Sequence, residues 1–525
     1  MFAEDFPIPG PKNSTERSLM WFLCLMVGFL SWAIGGDAFW AVVFATAGCI
    51  VGPIIFIFHW RSGYFTQRHP LLLYMLLMTP IWLGLAAFCW GLTNPGIQAR
   101  VVGELELLAI NYSGRWLPTI ADWRTAWPIT AFTTMAIASI LPIMLLVESR
   151  WVIHRILFLL GMNAAILALL GYVLVLSGFD SVFGLMNETG ESGFSMFFDS
   201  QQWAGFALIW TGVLLGLACY DKFTVPWWRF MHWNGTCEIG GAILLGSTIF
   251  ATGTTWAMGA VSILFVVALA YLSYDHYGVE KSKLVRWAGL AVLVPLTIGT
   301  GYLGTHFTIQ AIQSLKTEPA LRVDAVQART GNTALDLRVV DGPSGKESRM
   351  RGALEMLESR PLFGWGPGSY GRVYAFLQEV DLEKPYYALA PTNLAQALAE
   401  RGILGTASWL VMGAGILLML TRSKTKTRWL THFLLMAMAF VAVLGVVETP
   451  FSSPATFYSF WTVICLAIRW TTIAPTPSTA AGARTRIVFS EAEMKPMAES
   501  SAGVSPQSET AEPTPTAVQE SGKAS

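Results

Sequence analysis

The feature that most constrains this chain is a recurrence of apolar runs about as long as a bilayer is thick. A helix climbs ~1.5 Å per residue, so ~20 apolar residues cross a hydrocarbon layer of ~30 Å. Such windows fall at 19–36, 38–58, 71–92, 126–147, 152–177, 203–220, 239–253, 256–273, 287–305, 403–421, 429–447 and 454–471. The expectation is an all-α polytopic membrane protein with twelve spans, because only helices or closed barrels satisfy their backbone in lipid. The run 239–273 is too long for one span and short for two, and "ATGTT" at 251–255 supplies a turn between them. Only 13% of the residues are charged, against about 25% in soluble chains.

Other broad classes fall away. Formal net charge is zero, so no bulk electrostatic argument brings in nucleic acid. The six cysteines (24, 49, 89, 219, 237 and 465) sit in or beside apolar runs without metal-ligand spacing. They read as small core residues, and neither a metal nor another cofactor is expected. "MFAEDFPIPGPKNSTERS" lacks the basic and apolar regions of a signal peptide, so Met20 to Gly35 reads as the first span.

Positive residues in short loops set the orientation. Lys12 and Arg17, Arg61 and Arg68, Arg150 and Arg155, and Lys222 and Arg229 fall on one side. Lys281, Lys283 and Arg286 fall there too, as do Arg422, Lys424, Lys426 and Arg428. The opposite loop 179–202 has no Lys or Arg but carries Asp180, Glu188, Glu191 and Asp199. Both termini are therefore expected inside. The implied organisation is a cytoplasmic N-terminus (1–18), spans one to nine (19–305), an outer segment (306–402) and spans ten to twelve (403–471). A tail (472–525) rich in Ala, Ser, Thr, Pro and Glu reads as disordered. A shorter outer loop covers 93–125.

A long connection inside a membrane bundle is usually functional or disordered, and 306–402 has helical order in its pattern. "SRMRGALEMLESR" (348–360) sets Met350, Ala353, Leu354 and Leu357 at i, i+3, i+4 and i+7. Pro361 ends that helix, a second is expected over 370–379, and Leu394 to Glu400 leads into the tenth span. Lys346, Arg349, Arg351 and Arg360 crowd the first helix. They form either a solvated face or an anion site. Arg351 has Glu355 at i+4 as a surface partner, whereas Arg349 has no acid at that offset. Arg349 and Lys346 are thus the better anion contacts, with Arg351 third.

"SRPLFGWGPGSYG" (359–371) raises the question of a phosphate cradle. A dinucleotide loop follows a strand, whereas here a helix precedes, and Pro367 lacks a backbone donor. Gly364, Gly366 and Gly368 therefore read as a hinge that aims the arginine helix, and they stay candidate substrate contacts.

"RPLFGWGPGSY", then "PTNLAQALAERGILG" ahead of a span, resembles the O-antigen ligase/polymerase family. "NYSGRWLPTIADWR" and "GFSMFFDSQQWAGF" look like further family positions, and the resemblance covers about 20–470. It implies inverting, metal-independent glycan transfer from an undecaprenyl-pyrophosphate carrier at the periplasmic face of a bacterial inner membrane. The acceptor would be lipid A–core or another lipid-linked glycan, with membrane lipids around. Family arginines hold the pyrophosphate, and a histidine before the tenth span activates the acceptor hydroxyl. This chain departs there: the position is Thr392, followed by Asn393. A hydroxyl is no general base at neutral pH, so Glu400 or Glu448 is the expected substitute.

Secondary candidates are Asp199, Gln201 and Gln202 as sugar contacts or as a polar loop tip. Trp116, Trp123, Tyr386 and Tyr387 read as stacking platforms or an interface belt. His154, His232, His276 and His432 fall on the inner side and read as structural. Two further readings remain open: a transporter of lipid-linked glycan, and a binder that does not transfer. The apparent scarcity of ionisable residues inside the spans argues against transport.

Overall fold

The computed structural model describes residues 14–61, 78–102, 105–110, 114–177, 194–224, 234–278, 343–377, 389–422 and 429–473. The window at 287–305, the start of the outer segment, Tyr386, Tyr387, His232 and nearly all of the C-terminal tail lie outside these residues.

The described chain is mostly helical. Helix α1 is Ser14–Trp32, and a 3-10 turn at Ile34–Gly36 follows; α2 is Phe39–Cys49, α3 Val51–Arg61 and α4 Thr79–Gly91. An antiparallel hairpin, β1 (Ile97–Val102) on β2 (Leu105–Ile110), pairs Ile97 with Ile110 and Val102 with Leu105. It corrects the plain loop expected over 93–125 and the strictly all-α class. Then come α5 (Trp123–Ile140), α6 (Pro142–Leu146), α7 (Arg150–Leu176), α8 (Ser200–Thr224), α9 (Asn234–Ala251) and α10 (Thr255–Gly278). Helices α11 (Pro343–Ser359) and α12 (Tyr370–Leu377) belong to the outer segment. Helix α13 (Asn393–Arg422), α14 (Trp429–Val447), a 3-10 turn (Pro450–Ser452) and α15 (Pro454–Thr472) complete the chain. Among the described residues five helices are long and apolar enough to cross a membrane, the mark of a helical membrane protein.

Helix α8 is the centre of the bundle. It is apolar all round, as a fully surrounded helix must be, and Trp203, Phe206 and Trp210 have no exposed surface. Gly212 and Gly216 on its flank let α14 approach closely, since a Cβ at either would press into Ala437 or Phe433. Small residues do this work in membrane bundles, where lipid and side chain are equally apolar.

The bundle has two ends. At one, here the loop end, α5 begins beside 360–369, α8 begins at Ser200 and α14 meets the Pro450 turn. At the far end, the Glu16 carboxylate of α1 accepts the backbone N–H of Glu148 (2.6 Å) and Ser149 (2.9 Å). Arg150 donates there to the Ile473 carbonyl at 2.6 Å, tying α7 to the end of α15.

A second, smaller core sits at the loop end: Met356, Trp365, Tyr370 and Val373 are fully buried, with Ala353 and Ala399 beside them. It is why the outer segment folds at all. It also corrects the expected face of α11, because Met356 faces inward while Leu354 is half exposed. Gly352 is the contact point with α12, where a side chain would strike the Tyr374 ring.

Candidate functional site

The glycine stretch is spliced into α13. In an unbroken helix the N–H groups of Ile403 and Leu404 would bond the carbonyls of Ala399 and Glu400. Gly402 (φ 65°, ψ −171°) breaks both bonds, in a region of backbone space essentially reserved for glycine. All four freed groups are taken by the loop. Ile403 N donates to Pro361 O (2.8 Å) and Leu404 N to Leu362 O (3.0 Å), while Trp365 N donates to Ala399 O (3.2 Å) and Gly366 N to Glu400 O (2.8 Å). The approach is so close that a Cβ on Gly364 would collide with the Glu400 carbonyl and one on Gly402 with that of Leu362.

This geometry withdraws Gly364, Gly366 and Gly368 as substrate contacts. The Gly364 N–H bonds Arg360 O (3.1 Å), that of Gly366 bonds Glu400 O, and that of Gly368 serves the Glu400 carboxylate. No donor of the three is left to cradle an anion. Trp365 fixes the loop from inside: its Nε1 donates to Met356 O (3.0 Å) and Ser359 Oγ (2.9 Å), and the Arg360 guanidinium lies 4.7 Å over its ring.

Glu400 has a structural task as well. Its carboxylate accepts from Tyr370 N (3.3 Å) and Gln396 Nε2 (3.2 Å), so it caps the N-terminus of α12 from the side. Burial raises its carboxyl above the usual range, opposed by the Gly368 N–H, the Arg401 charge and the Gln396 and Tyr370 donors. Thr392 caps α13, its Oγ1 accepting Ala395 N at 3.0 Å. Asn393 is locked to the turn before α15: its N–H donates to Glu448 O (3.0 Å) and its Oδ1 accepts Phe451 N (2.9 Å). None of these three side chains is presented as a reactive group; each holds backbone.

That turn, 448–453, is the hub of a polar cluster. Thr449 donates its N–H and its hydroxyl to Gln201 Oε1, both at 3.1 Å, and Gln202 Nε2 donates to Ser452 Oγ at 3.1 Å. Ser453 Oγ reaches Gly35 O at 2.7 Å, which brings in the turn after α1 and with it Asp37. Asp199 accepts Gln201 N (2.8 Å) and the Thr449 hydroxyl (3.4 Å). Gln201 and Gln202 are thus interior struts rather than a loop tip, Gln202 being almost fully buried.

The electrostatics of the cluster centre on two acids and one arginine. Burial pushes the Asp37 carboxyl well above the usual carboxylate range, the Asp199 charge pushes the same way, and a hydrogen bond from Gln202 opposes both. Burial also raises Asp199, with the Gln201 N–H, the Thr449 hydroxyl and the Arg349 charge pulling it down. Arg349 is half-buried, its charge acts on Asp199, and its backbone carbonyl accepts the Tyr370 hydroxyl at 2.9 Å. Asp37 was missed by sequence reasoning. Its signal is a lone acid beside the paired glycines of "IGGDAF", between two spans.

The remaining candidates are peripheral. Arg351 is 70% exposed and pairs with Glu347 at 3.9 Å, not with Glu355 as expected. Trp116 is 55% exposed with the Arg115 guanidinium 4.9 Å over its ring. Lys346 lies on α11, and its side chain is outside the described residues. Asp122, which caps α5, binds Arg372 of α12 at 3.0 Å, a second tie between the 93–125 segment and the outer helices. Next to the loop, a partly open apolar pocket lies between α4, α5 and α13. Ile81, Leu83, Phe88 and Trp409 line its walls, and Glu400 and Arg401 stand at its polar end.

No protein-family model matches the chain, and no curated protein matches it either. The functional reading therefore rests on the residues themselves.

Proposed function

We propose that this protein transfers a glycan from an undecaprenyl-pyrophosphate carrier, in the manner of the O-antigen ligase/polymerase family. In this reading it sits in a bacterial inner membrane with twelve spans, both termini cytoplasmic and the loop end periplasmic. One observation carries the reading: stretches far apart in sequence that bear the resemblance meet at one place. Arg349, from the helix ahead of "RPLFGWGPGSY", faces Asp199 of "DSQQW", and Asn393 of "PTN" holds the turn that also binds Gln201.

The chemistry follows from that convergence. Arg349 holds the pyrophosphate, a role suited to a cation whose charge never titrates, and Asp199 orients it. Asp37 takes the acceptor hydroxyl proton, since burial and the Asp199 charge raise its affinity for protons. The acceptor oxygen bonds the anomeric carbon as the bond from that carbon to the phosphate oxygen breaks. The electron pair leaves with the undecaprenyl pyrophosphate, and configuration inverts. The apolar cavity takes the start of the isoprenoid tail. The acceptor is lipid A–core or a second lipid-linked glycan.

The test uses the full chain in nanodiscs with a labelled undecaprenyl-pyrophosphate oligosaccharide and each acceptor in turn. Transfer of label to one acceptor with release of undecaprenyl pyrophosphate is expected. Donor binding without release would leave a binder only, and donor movement across proteoliposomes without release would favour transport. The transport reading draws on one observation of its own, a group of buried acids at the far end of α8.

A further inference from the structure

At the far end of the bundle three titratable side chains from three helices converge, well apart from the loop-end cluster. His154 stands in the second turn of α7, Asp221 in the last turn of α8, and Glu238 near the start of α9. His154 Nε2 lies 2.9 Å from Asp221 Oδ1. One potential ligand atom from each residue falls within 4.8 Å of the other two. Glu238 has no exposed surface, and among the described residues its carboxylate oxygens meet no N–H or hydroxyl donor, only the neighbouring Asp221 carboxylate, a contact that needs a shared proton or a cation. Two adjacent acids in an apolar bundle are costly to keep unless a cation compensates them. The nearby Arg150 is turned elsewhere, donating to the carbonyls of Trp470 and Ile473 and stacking on the Trp470 ring.

We propose that His154, Asp221 and Glu238 bind a divalent transition-metal ion that clamps α7, α8 and α9 together at the far end. A dication neutralises both carboxylates, and the imidazole completes a mixed N/O donor set. That set suits Zn²⁺ or Mn²⁺, whereas Mg²⁺ prefers oxygen and water ligands. Ligands at about 2.0–2.2 Å from one Zn²⁺ lie no more than about 4.4 Å apart. The three ligand atoms already lie within 4.8 Å of one another, close to that limit. Three protein ligands leave a fourth position for water. The His154 side chain, 21% exposed, gives the ion its way in. The site lies at the opposite end of α8 from Arg349 and Asp199, so it stands or falls apart from the transfer reading. It also departs from the metal-free expectation drawn from the sequence.

The experiment uses the full chain in nanodiscs, stripped with a chelator, then exposed separately to Zn²⁺, Mn²⁺ and Mg²⁺. Bound metal is counted by mass spectrometry and thermal unfolding is followed. One equivalent of Zn²⁺ or Mn²⁺ per chain is expected, with a Tm rise of several degrees that Mg²⁺ does not produce. Glu238→Gln and His154→Gln should each lose both the equivalent and the rise. Size-exclusion profiles identify whichever variant is folded, and that one decides. Absence of bound metal in the wild type overturns the proposal. So does an equal rise in a folded variant, an equal rise with Mg²⁺, or a Glu238→Gln chain that outlasts the metal-loaded wild type.

Discussion

Asp199, just ahead of α8, and Asp221, in its last turn, are acids at the two ends of one helix, yet their surroundings differ in kind. Asp199 is met by a backbone N–H of α8, the Thr449 hydroxyl of the turn 448–453 and the charge of Arg349 on α11. Asp221 is met by a histidine and by a second carboxylate, Glu238. The first arrangement supplies Asp199 with donors from within the chain, while Gln202 Oε1 close by accepts no hydrogen bond among the described residues, and it leaves Asp37 with a raised affinity for protons. The second sets two carboxylates side by side, and among the described residues neither oxygen of Glu238 accepts a hydrogen bond from an N–H or hydroxyl. An acid supplied with donors can be tuned for chemistry; an acid set against a second acid points to a cation brought from outside.

The sharpest way to break this contrast is Arg349→Ala, which should lower glycan transfer by about 10²- to 10³-fold, the scale of losing one charge-stabilising contact. A normal rate would remove the loop end from the chemistry. Next is Gly402→Ala, which forces a side chain into a glycine-only conformation and into the Leu362 carbonyl. We expect a loss of about 3 kcal/mol, read as a large drop in Tm, with the far-end metal content of surviving protein unchanged.

Asp37→Asn acts through pH. The folded carboxyl keeps its proton above the unfolded value of about 4, so wild-type stability declines as pH rises from there through the raised folded value. The variant should lose that decline, and its Tm should exceed that of the wild type at neutral pH. Transfer, which needs the ionised form, should rise with pH in the wild type and be slow throughout in the variant. A pH-independent difference in Tm would remove the titration of Asp37 from the account.

Thr392→Ala should cost about 1 kcal/mol, the usual worth of a helix cap, and affect transfer only to that extent. Thr392→His, which supplies the histidine of the family proposed above, should destabilise more, because the site is 4% exposed and already spent on the cap. A gain in transfer from Thr392→His would return this position to the chemistry. Smallest is Arg351→Ala: its partner Glu347 is as exposed as it is, and such pairs contribute little. Transfer should match the wild type within error.

The helices were largely legible because a bilayer imposes a length. The turn at 251–255 falls between α9 and α10 as the "ATGTT" motif suggested, with Gly253 at φ 71°. The hairpin was missed although "IQARVV" and "LELLAI" carry some period-2 alternation around a glycine. Arg349 could be singled out from its lack of an i+4 acid. The acid its charge acts on, Asp199, lies 150 positions away, beyond the reach of any sequence offset. The same holds for His154, Asp221 and Glu238, each of which reads alone as a polite charge at a helix end. Thr392 looked like a catalytic residue gone missing because family patterns mark positions, and a position can serve the backbone as readily as the substrate.

The splice of the glycine loop into α13 has one further consequence. The N–H groups of Ile403 and Leu404 and the carbonyls of Ala399 and Glu400 have two complete sets of mates, the loop or one another. Withdrawal of the loop would let the helix zip shut across Gly402 without stranding a polar group beside lipid. Helix continuity and loop seating are therefore alternatives. Through Trp365 and Tyr370 the position of Arg349 is geared to which of the two prevails.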